Sequence, residues 1–260
     1  MDAPFSLVGR AALVTGAGAP DGIGVAIARL LGRQGASVVL TATTGRIHDR
    51  ARELQAEGLS AYSLTADLTD ESAAQTLVGE AVAHLGRLDI VVNNAGMTQT
   101  GVALASETFG EQPAEDWLRQ LDITLMTAVH VTRAAMPSLR AHGRGRIVMM
   151  SSVTGPLVAA SGSSAYAAAK GALDGLMRTI AIEEGPRGIT CNSVAPGWIA
   201  TGSSEPDELV SGGFTPVGRP GTPDEVASIV GYLASDQASY VTGQAFVVDG
   251  GNVVQEHKGP

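Results

Sequence analysis

The chain has 260 residues, room for one large domain or two small ones at about 150 residues per domain. With 44% hydrophobic and 17% charged residues, the composition excludes a disordered chain or a coiled coil and supports a core that needs no disulfide or metal staple. Seventeen Lys and Arg against 26 Asp and Glu give a formal net charge of −9, which argues against nucleic-acid binding because counterion release needs clustered cations.

Short apolar runs alternate with longer stretches of helical period. Ala11–Thr15 reads as a buried strand, followed by a glycine turn and a helix near Gly24–Gln34. Ser37–Thr41 is the next strand and Arg46–Glu57 a charged helix. Ala61–Leu64, a helix near Glu71–Leu85 and the strand Ile90–Val92 follow. A helical stretch covers Ala114–Arg140, with a break or bend expected near Pro137. Arg146–Met150 reads as a strand, Ala165–Glu183 as a helix and Gly188–Val194 as a strand. A helix near Pro223–Ala234 and the strand Phe246–Val248 complete the pattern. Unalternating apolar strands joined by helices imply a parallel sheet covered on both faces, and right-handed crossovers make it doubly wound. The reading is an α/β fold: a single Rossmann-like domain over residues 1–260, with Thr201–Pro220, rich in Gly, Ser and Pro, as a substrate loop over the site.

The one cysteine, Cys191, rules out an intrachain disulfide framework, favours a reducing compartment and reads as an inert buried thiol. The histidines His48, His84, His130, His142 and His257 lack ligand spacing and read as solvated or capping residues, so no metal site is expected. Met1–Pro4 does not begin a secretory signal, and no apolar run approaches the ~20 residues of a membrane helix. A soluble cytoplasmic protein without membrane or nucleic-acid partners is the expectation.

Thr15-Gly16-Ala17-Gly18-Ala19-Pro20-Asp21-Gly22-Ile23-Gly24 joins the first strand to the first helix. Such a turn sets backbone N–H groups and a positive helix end beside a pyrophosphate, with glycine where a Cβ would block the approach. A strict G-x-G-x-x-G fails, because Asp21 stands at the third glycine position counted from Gly16.

The turn resembles the T-G-x-x-x-G-x-G of the short-chain dehydrogenase/reductase family, with two extra residues between Gly16 and Gly22. Further motifs follow in the family's order over nearly the whole chain. They are Asn93-Asn94-Ala95-Gly96, Ser151-Ser152-Val153-Thr154-Gly155, Tyr166-Ala167-Ala168-Ala169-Lys170, Pro196-Gly197-Trp198-Ile199-Ala200-Thr201, and Val241-Thr242-Gly243-Gln244 through Asp249-Gly250-Gly251. The closest likeness is to the 3-oxoacyl-carrier-protein reductase branch.

Tyr166 and Lys170, four apart on a helix, project from one face. A nearby ammonium and a nicotinamide cation would lower the phenol pKa towards the working range. The resemblance implies that Tyr166 protonates a substrate carbonyl oxygen, Ser152 positions it, Lys170 tunes the tyrosine and holds the nicotinamide ribose, and the cofactor supplies the hydride. One position departs from the family. Thr124, in Asp122-Ile123-Thr124-Leu125, stands where an asparagine maintains a break in the helix whose carbonyl holds a water linked to the lysine. A threonine hydroxyl bonded back to the Gln120 carbonyl would bend the helix instead.

Cofactor contacts are expected from Gly16, Asp21, Gly22, Ile23 and Gly24 of the turn, Asn94, Ala95 and Gly96, Tyr166 and Lys170, and Pro196, Gly197, Ile199 and Thr201. Asp67 and Leu68 resemble the family's adenine-contacting pair, with Asp67 as a helix cap the plain alternative. The second strand ends Leu40-Thr41-Ala42-Thr43-Thr44-Gly45-Arg46 with no carboxylate for ribose hydroxyls. Thr43 and Arg46 favour NADP(H), with NAD(H) the alternative and Asp21 counting against the phosphate. The substrate is read as a small-molecule ketone or 3-oxoacyl compound, or the matching alcohol. A cofactor binder without turnover is the other class of reading. Thr98–Gln112 is long for the family, the lid Gly202–Arg219 short, and Trp198 and Phe214 are candidate pocket residues. The family's usual assembly implies a homotetramer.

Overall fold

The computed structural model describes residues 4–96, 107–256 and 259. Strands β1 (Ala11–Val14), β2 (Ser37–Ala42), β3 (Ala61–Thr65), β4 (Ile90–Asn93), β5 (Arg146–Met150), β6 (Thr190–Pro196) and β7 (Ala245–Val248) form one parallel sheet in the order β3-β2-β1-β4-β5-β6-β7. Their apolar runs split by the period of two. Ala12 and Val14, Val38 and Leu40, Ile90 and Val92, and Val148 and Met150 pack on one face. Leu13, Val39, Val91, Ile147 and Met149 pack on the other.

Helices α1 (Ile23–Arg33), α2 (Arg46–Ala56) and α8 (Pro223–Ala234) cover the first face. The second is covered by α3 (Glu71–Leu85), α5 (Thr127–His142) and α6 (Ser164–Glu184). β1 pairs with both β2 and β4, so the chain leaves β1 in one direction and returns beside it from the other. That reversal opens a crevice at the carboxyl ends of β1 and β4, where doubly wound sheets bind their ligands.

The structure corrects three readings. The stretch Ala114–Arg140 is not one helix bent at Pro137. It comprises α4 (Ala114–Leu121), a π turn (Asp122–Met126) and α5, which runs continuously through Pro137. Pro137 sits on an exposed face of α5; the interruption is instead at Thr124, fully buried in the π turn. Second, the loop Thr201–Pro220 contains α7 (Pro206–Gly213), started by Pro206 and by a reciprocal Glu205–Glu208 capping box. Third, His130 is buried and its Nδ1 lies 3.0 Å from the Leu68 carbonyl, so it is a core histidine rather than a solvated one. Of the long segment Thr98–Gln112, residues 98–106 lie outside the described residues, as does His257.

Candidate active site

The turn after β1 is braced from β4. Thr15 Oγ1 accepts the amides of Asn94 (3.0 Å) and Ala95 (2.9 Å), while Asn94 Nδ2 donates to the carbonyls of Thr15 (3.1 Å) and Gly16 (3.0 Å). Gly16 takes φ +67°, and a Cβ there would stand 2.7 Å from the Ala95 backbone. A Cβ on Gly24 would stand 2.7 Å from both Asn94 Nδ2 and the Gly16 carbonyl. Helix α1 then starts at Gly22 with no side-chain cap and no acidic residue in its first turn. Its first N–H groups are thus left without a side-chain acceptor, an arrangement that suits a pyrophosphate. The Asp21 carboxylate abuts Gly202 at the start of the lid: a Cβ on Gly202 would meet Asp21 Oδ2 at 2.5 Å. Asp21 therefore joins the turn to the lid.

At the end of β2, Thr43 is exposed and Arg46 opens α2. The Arg46 side chain lies over Gly18, where a Cβ would meet its Nε at 2.6 Å. Arg46 has no carboxylate partner among the described residues. Asp67 Oδ1 accepts the Thr69 amide (3.1 Å) and hydroxyl (2.7 Å), a local turn, while the cap of α3 is Asp70. Leu68 buries its side chain in the core, and its carbonyl lies 3.0 Å from His130 Nδ1.

Beyond β4, Gly96 packs against the backbone of the π turn, 3.3 Å from a Cβ position to Thr124 Cα. The break expected of an asparagine is thus present with threonine in place. Gln120 engages Thr124 through its side chain, Nε2 donating to Thr124 Oγ1 at 2.8 Å, rather than through the carbonyl expected from the sequence. Thr127 Oγ1 donates to the Ile123 carbonyl at 3.1 Å. The π turn also packs against α6.

Ser152 follows β5, and its hydroxyl accepts the Thr154 amide at 3.1 Å while facing the phenol of Tyr166. Lys170 is buried with its Nζ 5.6 Å from the centre of the Tyr166 ring, donating to the Met150 carbonyl at 2.6 Å. Burial lowers the Lys170 pKa from 10.5 to about 8, against the opposing charge of Asp174. The Tyr166 phenol moves up from its ordinary value, mainly by burial, against the Ser152 hydrogen bond and helped by the Glu208 charge. The lowering expected with both an ammonium and a nicotinamide cation beside the phenol concerns the loaded site, whereas this direction is that of the ligand-free chain. The ammonium sits over the ring and is tied to β5, so desolvation wins and the phenol stays protonated. The Cys191 thiol is buried and pushed up as an inert thiol should be.

The lid leaves β6 at Pro196. Gly197 donates to the Val248 carbonyl at 3.0 Å, and Ile199 bridges to Gly221. Ser204, missed in the sequence, is the fastener here: its Oγ accepts the Thr201 amide (3.0 Å) and donates to the Ile199 carbonyl (2.9 Å). A serine three residues after the P-G-x-x-x-T threonine is the signal that could have found it. Phe214 lies near the C-terminal tail, where a Cβ on Gly259 would meet its ring and Gln255 Nε2 donates to its carbonyl. Among the described residues no three His, Cys, Asp or Glu converge as a metal site, and no helix is long and apolar enough to cross a membrane.

Residues 16–252 match the family model described as "Enoyl-(Acyl carrier protein) reductase". Oxidoreductase UcpA of Salmonella typhimurium is 37% identical over 262 residues, covering 96% of this chain and 97% of that protein. The 3-oxoacyl-[acyl-carrier-protein] reductase FabG of Pseudomonas aeruginosa is 40% identical over 253 residues, covering 95% and 98%. A candidate NAD(P)-dependent gluconate 5-dehydrogenase from Beutenbergia cavernae, solved with NADP at low occupancy, superposes with a TM-score of 0.88 at 36% identity, over 97% of this chain and 100% of that one.

Proposed function

The chain belongs to the short-chain dehydrogenase/reductase family and is an NAD(P)-dependent oxidoreductase of carbonyls and alcohols, and we propose that it reduces a ketone or 3-oxoacyl carbonyl with NADPH, Tyr166 giving the proton. The observation that carries this reading is the Ser152 hydroxyl facing a protonated Tyr166 phenol beside a buried lysine, at the carboxyl edge next to the uncapped α1. The residues fit a dinucleotide, because Gly16 and Gly24 leave a cradle that a Cβ would fill.

What a bound nicotinamide supplies is the hydride. Tyr166 gives its proton to the carbonyl oxygen, which Ser152 holds beside the phenol. Lys170, on the same helix face, holds positive charge under the ring and is the residue assigned to the nicotinamide ribose. Thr124 keeps the π turn against α6. The turn residues Gly16, Gly22, Ile23 and Gly24, together with Asn94, Ala95 and Gly96, would line the dinucleotide, as would Pro196, Gly197, Ile199 and Thr201 on the lid side.

Preference for NADP(H) over NAD(H) rests on Arg46, which lies over Gly18 with no carboxylate partner among the described residues and with Thr43 nearby. We further propose one domain with residues 201–220 as the substrate cover, a cytoplasmic setting, and a homotetramer. Exposed Leu118 of α4 and Ile182 of α6, with Tyr240 and Val247 near β7, suit contact with further copies. A monomer mass by light scattering contradicts the tetramer. The activity is tested by initial rates of NADPH and NADH consumption over β-ketoesters, cyclic ketones and aryl ketones. Turnover with NADPH favoured over NADH is expected; NADH favoured overturns the cofactor assignment, and no turnover with either overturns the reductase.

A further inference from the structure

Asp174 is a buried carboxylate that the mechanism above does not use. It follows Lys170 by four residues on α6, as Lys170 follows Tyr166, so the three side chains share a helix face. Lys170 and Asp174 each keep only 5% of their surface exposed. Asp174 Oδ1 is buried without a hydrogen-bond partner among the described residues. A carboxylate in such a place is costly unless an opposite charge accompanies it; Lys170 is the buried cation one turn before it, whereas Arg178, one turn after, is exposed.

The other charged or titratable groups on elements packed against α6 have partners or lie elsewhere. On α4 these are Glu115, Asp116 and Arg119, the last two joined as an ion pair. Asp122 is in the π turn and Cys191 on β6. Arg146 of β5 is held by the Ser235 and Gly145 carbonyls, and Arg187 pairs with Glu184. Glu208 of α7 acts on Tyr166. Among them all, Asp174 alone adds a charge effect to Lys170, opposing the burial that brings its pKa to about 8.

We propose that Asp174 is a positioning residue for the proton-handling pair, the buried counter-charge that keeps the Lys170 ammonium in place beneath Tyr166. The inference rests on the reading that Tyr166 and Lys170 carry out the chemistry. Without Asp174, Lys170 gives up its proton at lower pH, and the rate loses its alkaline limb correspondingly early. The loss falls on kcat more than on KM, because Asp174 touches neither substrate nor cofactor.

The sequence makes the test direct, since Lys170 and Lys258 are the only lysines in the chain. Lysine labelled with 13C at Cε gives two resonances, and Lys170→Met assigns them. In the ligand-free protein, Asp174→Asn is expected to lower the Lys170 titration midpoint by about one pH unit, with Asp174→Glu restoring it. The alkaline limb of kcat should move with it. An unchanged midpoint in folded Asp174→Asn overturns the proposal. So does a shifted midpoint with an unmoved kcat profile, in an enzyme whose turnover depends on Tyr166.

Where a thermal melt shows that Asp174→Asn does not fold, the wild-type protein decides. The Asp174 carboxyl carbon should respond at the Lys170 midpoint, and no response there overturns the pairing. The lysine titration needs no turnover, so failure of the catalytic reading shows separately, as activity that survives Tyr166→Phe.

Discussion

Helices α1 and α8 pack against each other on the same face of the sheet, yet their N-termini are finished in opposite ways. The α8 end is closed by its own sequence. Thr222 Oγ1 accepts the Glu225 amide (3.3 Å), Glu225 Oε2 accepts the Thr222 amide (2.8 Å), and Arg219 reaches the same carboxylate at 2.9 and 2.7 Å. Arg219 above all, with the Thr222 amide, holds the Glu225 carboxyl at about 2. At α1 the cap is Gly22, the first turn has no acid, and Gly16 and Gly24 keep side chains out of the approach. Where the helix end serves only the fold, the chain supplies the negative partner itself. At α1, where we propose that a ligand phosphate is that partner, it supplies none.

Filling the open end should have the largest effect. Gly24→Val, whose branches would crowd Asn94 and the Gly16 carbonyl, is expected to weaken NADPH binding by about 3 kcal/mol, measured by quenching of protein fluorescence in a variant that melts normally. Unaltered affinity would remove the cradle from the account. Next comes the buried lysine. Its native pKa of about 8 lies below the ordinary 10.5, so between these values the native state binds fewer protons than the unfolded one and stability rises with pH. At pH 7 the buried charge costs roughly 3 kcal/mol, less what relaxation recovers. Lys170→Met should lose activity and flatten the slope between those pH values, but it strands the buried Asp174 carboxylate and the Met150 carbonyl, so no gain in melting temperature is expected at pH 7.

Smaller effects separate the two helix ends further. Arg46→Ala should reduce the preference for NADPH over NADH about tenfold in kcat/KM, with NADH kinetics little changed. Equal loss with both cofactors would show Arg46 to be a general support. Thr222→Ala should cost about 1 kcal/mol in chemical denaturation and leave NADPH affinity alone. A weakened affinity would mean that the closed end of α8 also serves the ligand.

Much of this was readable in the residues. Apolar runs such as Ile90–Val92 required a sheet buried on both faces, and the turn at Gly16–Gly24 and the Tyr166–Lys170 spacing located the crevice. What escaped was set by tertiary contact. The break at Thr124 was legible only through the family motif, because its π turn lies under Gly96, far away in sequence, whereas Pro137, the local signal for a bend, lies on an exposed face within a continuous helix. Helix α7 escaped because Ser211, Gly212 and Gly213 carry no apolar period, although Glu205 and Glu208 already spelled its start. In the ligand-free chain the direction of the Tyr166 pKa depends on where the ammonium points and how deeply the phenol is buried, and spacing along a helix shows neither. One legible signal remained unused. Fifteen arginines carry the cationic work elsewhere, leaving only Lys170 and Lys258 as amines, and an amine yields its proton to burial as a guanidinium does not.

The central claim is that Tyr166 moves the proton in a site whose dinucleotide is held by other residues. It is tested most directly by measuring NADPH affinity and the NADPH-dependent rate of carbonyl reduction side by side in the wild type and Tyr166→Phe. The account predicts affinity within about threefold and a rate at least about a hundredfold lower, the range of a lost general acid. A variant that binds NADPH and reduces the carbonyl at the wild-type rate would contradict it.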